Sequence, residues 1–214
     1  MKLKLAILPL CLIALNVFGF EGTVKQTVKN YNGTGTNVTL TWYLGAHSCR
    51  VDMNASGKDL KGSNTVVIVD PAAGLLRTYE AGGAQKVYFQ VAPAAISGGV
   101  GEVQVTKTAD IKMIQGFSCE KWTVTVGSAL YNVWITRDID FDAAAYREFF
   151  KNNLEIQALA QQGVKGFALL TESGTGVNAS NVEKVTKQAV SAETLSVPSD
   201  YTMYTNPTAP KSGK

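Results

Sequence analysis

The sequence predicts a mainly β protein with one or two helices. In most of the chain, apolar residues recur at every second position, which is the period of a strand that buries one face. Stretches rich in glycine and proline separate these runs and predict turns between short strands. Only residues 141–162 change to the spacing of a helix.

The first two strands are predicted as a hairpin. Val24 and Val28 alternate with polar residues, and a second alternating run extends from Val38 to Leu44. Between them, the stretch NYNGTGTN supplies two glycines that can adopt positive φ. The same alternation predicts strands near 48–53, 65–70, 75–80, 86–91, 103–107, 110–115, 118–126, 129–137 and, after the helical segment, 164–171.

The helical segment 141–162 has signals at both of its ends. Asp140 or Asp142 can cap its start, and Gly163 can end it. We predict one helix here, with a break near Asn152 as the alternative.

The first nineteen residues have the parts of a secretory signal peptide. Lys2 and Lys4 precede an uncharged apolar stretch that starts at Leu5, and Gly19 supplies a small residue for cleavage. The stretch is shorter than the ~20 apolar residues that a membrane-spanning helix needs. We therefore expect residues 1–19 to be removed and the mature protein to be exported without a transmembrane segment; the alternative is an uncleaved anchor.

The remaining 195 residues (214 − 19) suit a single domain. We expect residues 20–205 to form that domain. The last residues, 206–214, read NPTAPKSGK and have little to bury, so we expect a disordered tail.

The charge pattern argues against a nucleic-acid partner. The chain has 20 Lys and Arg against 17 Asp and Glu, a formal net charge of +3, and these residues are scattered. Binding to nucleic acid requires basic residues concentrated on one face.

Two cysteines, Cys49 and Cys119, remain after the predicted cleavage. An exported compartment permits a disulfide between them. Cys49 shares its side of a strand with apolar residues, whereas Cys119 lies on the side opposite Trp122. A bridge between them would therefore need a bulge or bend near Gly116, and two separate thiols are the alternative.

No motif predicts catalysis, a metal site or a cofactor. The chain contains one histidine, His47, and no CxxC pair, so neither a zinc site nor a base-activated nucleophile has enough members. The acidic run RDIDFD, residues 137–142, lacks the glycine and distal glutamate of a calcium loop, and a helix cap explains it more simply. We expect a protein that is not an enzyme and has no cofactor.

Large apolar side chains are more numerous than one helix can cover. A curved sheet with so small a cover can close on itself, pack on a second sheet, or keep an apolar concavity for a ligand. The candidate ligand contacts among these side chains are Trp42, Tyr79, Phe89, Trp122 and Trp134.

A series of short motifs resembles a known family. In order, they are FEGTV, CRVDM, VVIVDPAAGLLRTYE, IQGFSCEKWTV, YNVWITRDI, GVKGFALL and LSVPSDYTM. Together they resemble a family of exported bacterial proteins known mainly as a domain of unknown function. That family is similar to the outer-membrane lipoprotein carriers, whose pattern is matched here by Arg50, Asp70 and Tyr79.

The resemblance implies an antiparallel sheet curved into an open half-barrel with a helical cover, whose concave apolar face shelters lipid chains in the carriers. It implies that Arg50 contacts the lid or the ligand and that Asp70 forms a turn. It also favours a strand for residues 181–190, which fit a strand or a helix equally well on pattern alone.

We therefore expect a periplasmic or outer-membrane-associated protein of a Gram-negative bacterium. It would bind a lipid-like or other apolar ligand, such as a lipid or the acyl chains of a lipoprotein. The alternative is an envelope structural or protein-interaction module with a filled core and no ligand. The sequence does not identify a protein partner.

Overall fold

The computed structural model describes residues 19–29, 36–56, 64–91, 103–147, 154–174 and 178–205. Apart from Gly19, the predicted signal peptide lies outside these ranges, as does the predicted tail 206–214. The described residues form twelve strands and two short helices. In chain order they are β1 (Gly22–Val28), β2 (Asn37–Leu44), β3 (Cys49–Ser56), β4 (Asn64–Asp70), β5 (Leu75–Glu80), β6 (Val87–Val91), β7 (Val103–Ile114), β8 (Phe117–Val126), β9 (Ala129–Thr136), α1 (Ala143–Tyr146), α2 (Leu154–Gln161), β10 (Phe167–Ser173), β11 (Asn178–Lys187) and β12 (Thr202–Met203).

All twelve strands belong to one sheet. Their order is β12-β6-β5-β4-β3-β2-β1-β11-β10-β9-β8-β7, and the sheet is not closed into a barrel. Neighbouring strands are antiparallel except β12 and β6, which are parallel. The first strand lies inside the sheet, since β1 pairs with both β2 and β11. The prediction of a mainly β, largely antiparallel fold is confirmed.

Local sequence accounts for most of the element boundaries. β2 alternates between buried and half-exposed residues along its length, as its sequence predicts. Asp70 ends β4 and its carboxylate accepts a hydrogen bond from the amide of Ala73 at 3.0 Å, which is the predicted turn. Residues 178–187 are a strand, in agreement with the resemblance.

Two predictions about element boundaries need correction. The strands predicted at 103–107 and 110–115 are one strand, β7, because a bulge between Lys107 and Ile111 lets pairing with β8 continue past the polar residues. The helix predicted over 141–162 is described as α1 and α2. Asp142 caps α1 by accepting a hydrogen bond from the amide of Ala144, and the predicted break at Asn152 lies outside the described residues.

The sheet is strongly curved. Trp42 on β2 and Phe167 on β10 are three strand positions apart, ~14 Å in a flat sheet. Their ring centroids nevertheless lie 5.4 Å apart, in a T-shaped contact. The side chain of Gln115, in the turn between β7 and β8, also reaches the carbonyl of Val182 on β11 at 3.4 Å. The curvature separates a concave face from a convex one.

We call the face that carries Trp42 the inner face and the opposite face the outer face. The main core contains Trp42 and side chains of α1, α2 and the preceding segment, and at the end of β9 it includes residues of both strand parities. A smaller cluster of Val66, Ile68, Tyr79 and Tyr201 lies on the outer face. Residues 188–205, which we call the C-terminal strap, cover this smaller cluster.

Candidate functional site

Strand register determines which predicted site residues share a face. One row of paired residues crosses eight strands, from β3 to β7 through β2, β1, β11, β10, β9 and β8. Paired residues in a sheet point to the same side, so all members of this row lie on the inner face with Trp42. They are Ala55, Val38, Val28, Ser180, Thr171, Val133, Trp122 and Lys107.

The six predicted ligand contacts divide equally between the two faces. Trp42 and Trp122 lie on the inner face. Phe89 lies on the same face, because a row of paired residues runs from Trp42 through Val51, Val67 and Thr78 to Phe89. The outer-face members are Arg50, Tyr79 and Trp134. Three of the six therefore stand at the strand parity opposite Trp42, and the role of all six as ligand contacts stays a prediction.

Arg50 and Tyr79 hold the C-terminal strap to the sheet. The Arg50 guanidinium donates two hydrogen bonds to Asp52, at 2.6 and 2.9 Å, and a third to the carbonyl of Thr194 in the strap. Burial is the largest single effect and lowers the pKa of Arg50, but the hydrogen bonding and the negative charge of Asp52 act together to raise the pKa on balance. The ring of Tyr79 lies 4.7 Å from that of Tyr201, also in the strap. Arg50 thus contacts the strap on the outer face, and the contact with a lid or ligand that the resemblance implies stays a prediction.

Trp134 is held by polar groups on the outer face. Its indole N–H donates to the carboxylate of Glu172 at 3.1 Å. The ammonium groups of Lys112 and Lys121 lie 5.3 and 5.8 Å from its ring centroid. Both the ring and the N–H of Trp134 therefore have partners.

An aromatic cluster fills the inner face beneath the helical segment. Phe141 contacts Trp42 and Phe167 edge to face, with centroids 6.0 and 5.5 Å apart, and stacks on Tyr146 at 4.8 Å. Burial raises the pKa of the Tyr146 hydroxyl. Trp42 is thus a core residue of this cluster, and its partners Phe141 and Phe167 carry no signal in the sequence that pairs them with it.

A buried polar chain lies beside this cluster. The indole N–H of Trp42 donates to the Gln26 side-chain oxygen at 3.1 Å, and the Gln26 amide donates to the Ser180 hydroxyl at 3.2 Å. Gln26 and Ser180 are 7% exposed, so both need these partners. The sequence contains a signal for this chain: Gln26 is a polar residue at the core-facing parity between Val24 and Val28.

A second region of the inner face is apolar but only half-buried. Its residues lie on β7, β8 and β9 at the ends of the strands away from the aromatic cluster. The row of paired residues that contains Trp122 crosses β2 at Val38. Val38 is four residues from Trp42, a distance of ~13 Å along the strand. We call this region the distal patch; it consists of Val103, Val105, Trp122, Val126 and Tyr131.

The indole N–H of Trp122 is buried without a hydrogen-bond partner among the described residues. The residues paired with Trp122 are Val133, which is apolar, and Lys107, which can only donate. Buried donors are nearly always paired, and one that is not raises the free energy of the protein by ~1–3 kcal/mol. Trp122 therefore differs from the other two tryptophans, whose N–H groups both have acceptors.

Three charged side chains lie next to the distal patch on the same face. The Lys107 ammonium is 2.7 Å from one oxygen of Glu120, and the Arg137 Nε is 3.2 Å from the other. The hydrogen bond from Lys107 is the largest effect on the pKa of Glu120, and together with that from Arg137 it lowers this pKa although burial acts in the opposite direction. The cluster carries two positive charges and one negative charge.

The two cysteines are free and buried. Cys49 is paired with Leu44 on the inner face, whereas Cys119 lies on the side of β8 opposite Trp122. Burial raises the pKa of Cys49, and burial, reinforced by Asp138, raises that of Cys119 to about 11. The disulfide that the sequence left open is not formed in the structure, where both thiols are free and belong to the same buried core.

Metal-ligating side chains do not cluster in the described part of the chain. Within the ranges from Gly19 to Thr205, no three His, Cys, Asp or Glu side chains are placed to share a metal ion. His47 is exposed in the turn before β3. The described helices are also too short to cross a membrane.

The fold and the inner face define a class of protein: a single, curved, largely antiparallel sheet with a helical segment on its concave side and a strap on its convex side. The chain belongs to the family described as domain of unknown function DUF4412, whose model matches residues 20–201. No curated protein matches it.

Solved structures provide a distant likeness. The chain is similar to part of PNGF-II in two crystal forms. The P21 form is 14% identical with a TM-score of 0.46, and the C2 form is 13% identical with a TM-score of 0.48. Each match covers 86% of this chain but only 31% and 30%, respectively, of the PNGF-II chain.

Proposed function

We propose that this protein is an exported, non-enzymatic component of the bacterial envelope that holds a lipid-like or other apolar ligand on the inner face of its sheet. The distal patch carries this proposal, because five apolar side chains continue the core there yet keep part of their surface exposed. A half-barrel related to that of the lipoprotein carriers, as the motifs suggest, would use the same face. The location is periplasmic or at the outer membrane.

The size of the hydrophobic effect makes such binding feasible. Burying one methylene group contributes about 0.8 kcal/mol. A twelve-carbon chain that buries half of its surface would therefore gain roughly 5 kcal/mol, before the cost of association is subtracted. Such a ligand would bind with moderate affinity and could be released again, which suits a carrier.

The first test is to purify the protein natively from the envelope, extract it with organic solvent and identify lipids by mass spectrometry. We expect a lipid in stoichiometric amount. Val105→Glu places a charge in the distal patch and should abolish the co-purification. Thr106→Glu places the same charge on the opposite side of β7, at an exposed position, and should leave it unchanged.

Two results would contradict the proposal: protein that carries no lipid and whose tryptophan fluorescence does not respond to added lipid, or equal loss of lipid in both variants. Circular dichroism of each variant controls for unfolding.

A second candidate is a structural or protein-interaction module with a filled core. The contacts among Trp42, Phe141, Phe167 and Tyr146 favour it, since these rings pack on one another and fill that part of the inner face. Native protein that is free of lipid but migrates with one partner at a fixed stoichiometry in size-exclusion chromatography would select this function over the first.

A further inference from the structure

We propose that Trp122 selects the ligand by donating a hydrogen bond to a neutral carbonyl oxygen, so that the ligand is an acyl ester or amide and not a plain hydrocarbon. This inference rests on the proposed function and adds the polar group that the apolar ligand carries. Its basis is the orphaned N–H described above, which lies within an otherwise apolar patch.

The position of Trp122 fits a role in ligand recognition. Its ring is part of the half-buried surface that the ligand would cover, while its N–H is fully buried in that surface. A ligand that displaces the side chains around the ring and supplies an acceptor converts an unpaired donor into a paired one. A ligand without an acceptor leaves the donor unpaired and gains only from apolar contact.

The charge of the acceptor also follows from the surroundings. A carboxylate buried beside Trp122 would need a cation, but the neighbouring Lys107 is ion-paired with Glu120 and its side chain is 45% exposed. Bringing the Lys107 ammonium into the patch would break its ion pair with Glu120 and would remove the ammonium and the ligand carboxylate from water. An uncharged ester or amide carbonyl requires neither change, so the observations favour it over a free fatty acid.

The experiment compares two ligands of equal chain length. The first is 1-decanoylglycerol, which has an ester carbonyl, and the second is 1-decylglycerol, the ether that lacks it. Isothermal titration calorimetry with the wild-type protein should show tighter binding of the ester by roughly five- to tenfold, the contribution of one net hydrogen bond.

Variants of two tryptophans identify the donor. Trp122→Phe removes the N–H and keeps an aromatic ring, so the ester should bind only as well as the ether and the five- to tenfold preference should disappear. Trp134→Phe is the matched control, because the N–H of Trp134 is engaged by Glu172 on the outer face. That variant should keep the preference of the wild type for the ester.

A measurement on wild-type protein keeps the test independent of folding of the variants. The indole N–H of Trp122 should shift downfield in a 15N-correlated proton spectrum when the ester is added, and should not do so with the ether. If neither ligand binds to the wild type, the proposed function fails and this inference with it. If both bind with equal affinity, or if Trp122→Phe weakens both equally, apolar binding stands and the carbonyl contact is wrong.

Discussion

The ion pair beneath the C-terminal strap provides a prediction about stability. Arg50 and Asp52 have side chains that are each 19% exposed, and the guanidinium makes two hydrogen bonds to the carboxylate and one to the strap. Arg50→Ala would remove all three hydrogen bonds. It would also leave the Asp52 carboxylate mostly buried without its cation.

Breaking a fully buried pair costs ~3–5 kcal/mol, whereas an exposed pair contributes less than about 1 kcal/mol. For a pair that retains one-fifth of its exposure, we expect Arg50→Ala to lower the free energy of unfolding by about 2–3 kcal/mol. In a chain of this size, that loss corresponds to a decrease in Tm of roughly 5–10 °C. Urea denaturation followed by fluorescence and by circular dichroism measures both the loss and its cooperativity.

Two comparisons separate the causes. The double variant Arg50→Met, Asp52→Leu leaves no charge unpaired, so it should be more stable than Arg50→Ala. Arg77→Ala removes an arginine on the same face whose hydrogen bond to Gln90 is exposed, and it should cost less than about 0.5 kcal/mol. If Arg50→Ala costs no more than Arg77→Ala, or if the double variant is the least stable of the three, the buried ion pair does not stabilise the strap in this way.

Three further measurements test other parts of the structure. Gly166 has φ +115°, and a Cβ there would lie 2.4 Å from a backbone oxygen, so Gly166→Ala should lower the free energy of unfolding by about 3 kcal/mol or more in urea denaturation. Gly82 has φ +78° with nothing within 4 Å of its Cβ position, so Gly82→Ala should lower it by only about 1 kcal/mol, and equal losses in the two variants would contradict the clash at Gly166. Cys49 and Cys119 should resist a thiol reagent in the native protein and react as two free thiols in denaturant without reductant, in protein that begins at residue 20; fewer than two would indicate a bridge. Because the pKa of Glu120 is lower in the folded protein, its ion pairs stabilise the fold above the unfolded-state pKa, near 4.5, and this stability is lost as the pH falls through the lower folded-state pKa. Glu120→Gln should remove this pH dependence, which we expect to be below about 1 kcal/mol, and an acid unfolding profile that is unchanged in the variant would show that the ion pairs do not contribute.

The strands could be predicted from the sequence, but the assignment of residues to faces could not. Alternation is a local property, and it correctly placed Trp122 and Cys119 on opposite sides of β8. It cannot show that a sheet is covered on both sides. The strap buries the outer face of β4 and β5, so Tyr79 is as apolar in its surroundings as Trp42 although it faces the other way.

Strand β9 shows the same limit in its own sequence. Its last four residues, Val133 to Thr136, are all buried, so both parities are covered there and alternation does not assign Trp134 to a face. The aromatic cluster was missed for a related reason. Phe141 and Phe167 come from segments that are far apart in the chain from Trp42, and only the curvature of the sheet brings the three rings together.

The position of β1 between β2 and β11 governs the order in which this chain can fold. Val28 pairs with Ser180, so 152 further residues (180 − 28) must be synthesised before β1 can meet its second neighbour. At the usual ~5–20 residues per second, this takes roughly 10–30 s. During that time the second edge of β1 has no native partner, and the strap that seals the convex side does not yet exist. The fold is therefore completed only by a finished chain, and a ribosome that stops before β11 releases a sheet with an open, pairing-competent edge.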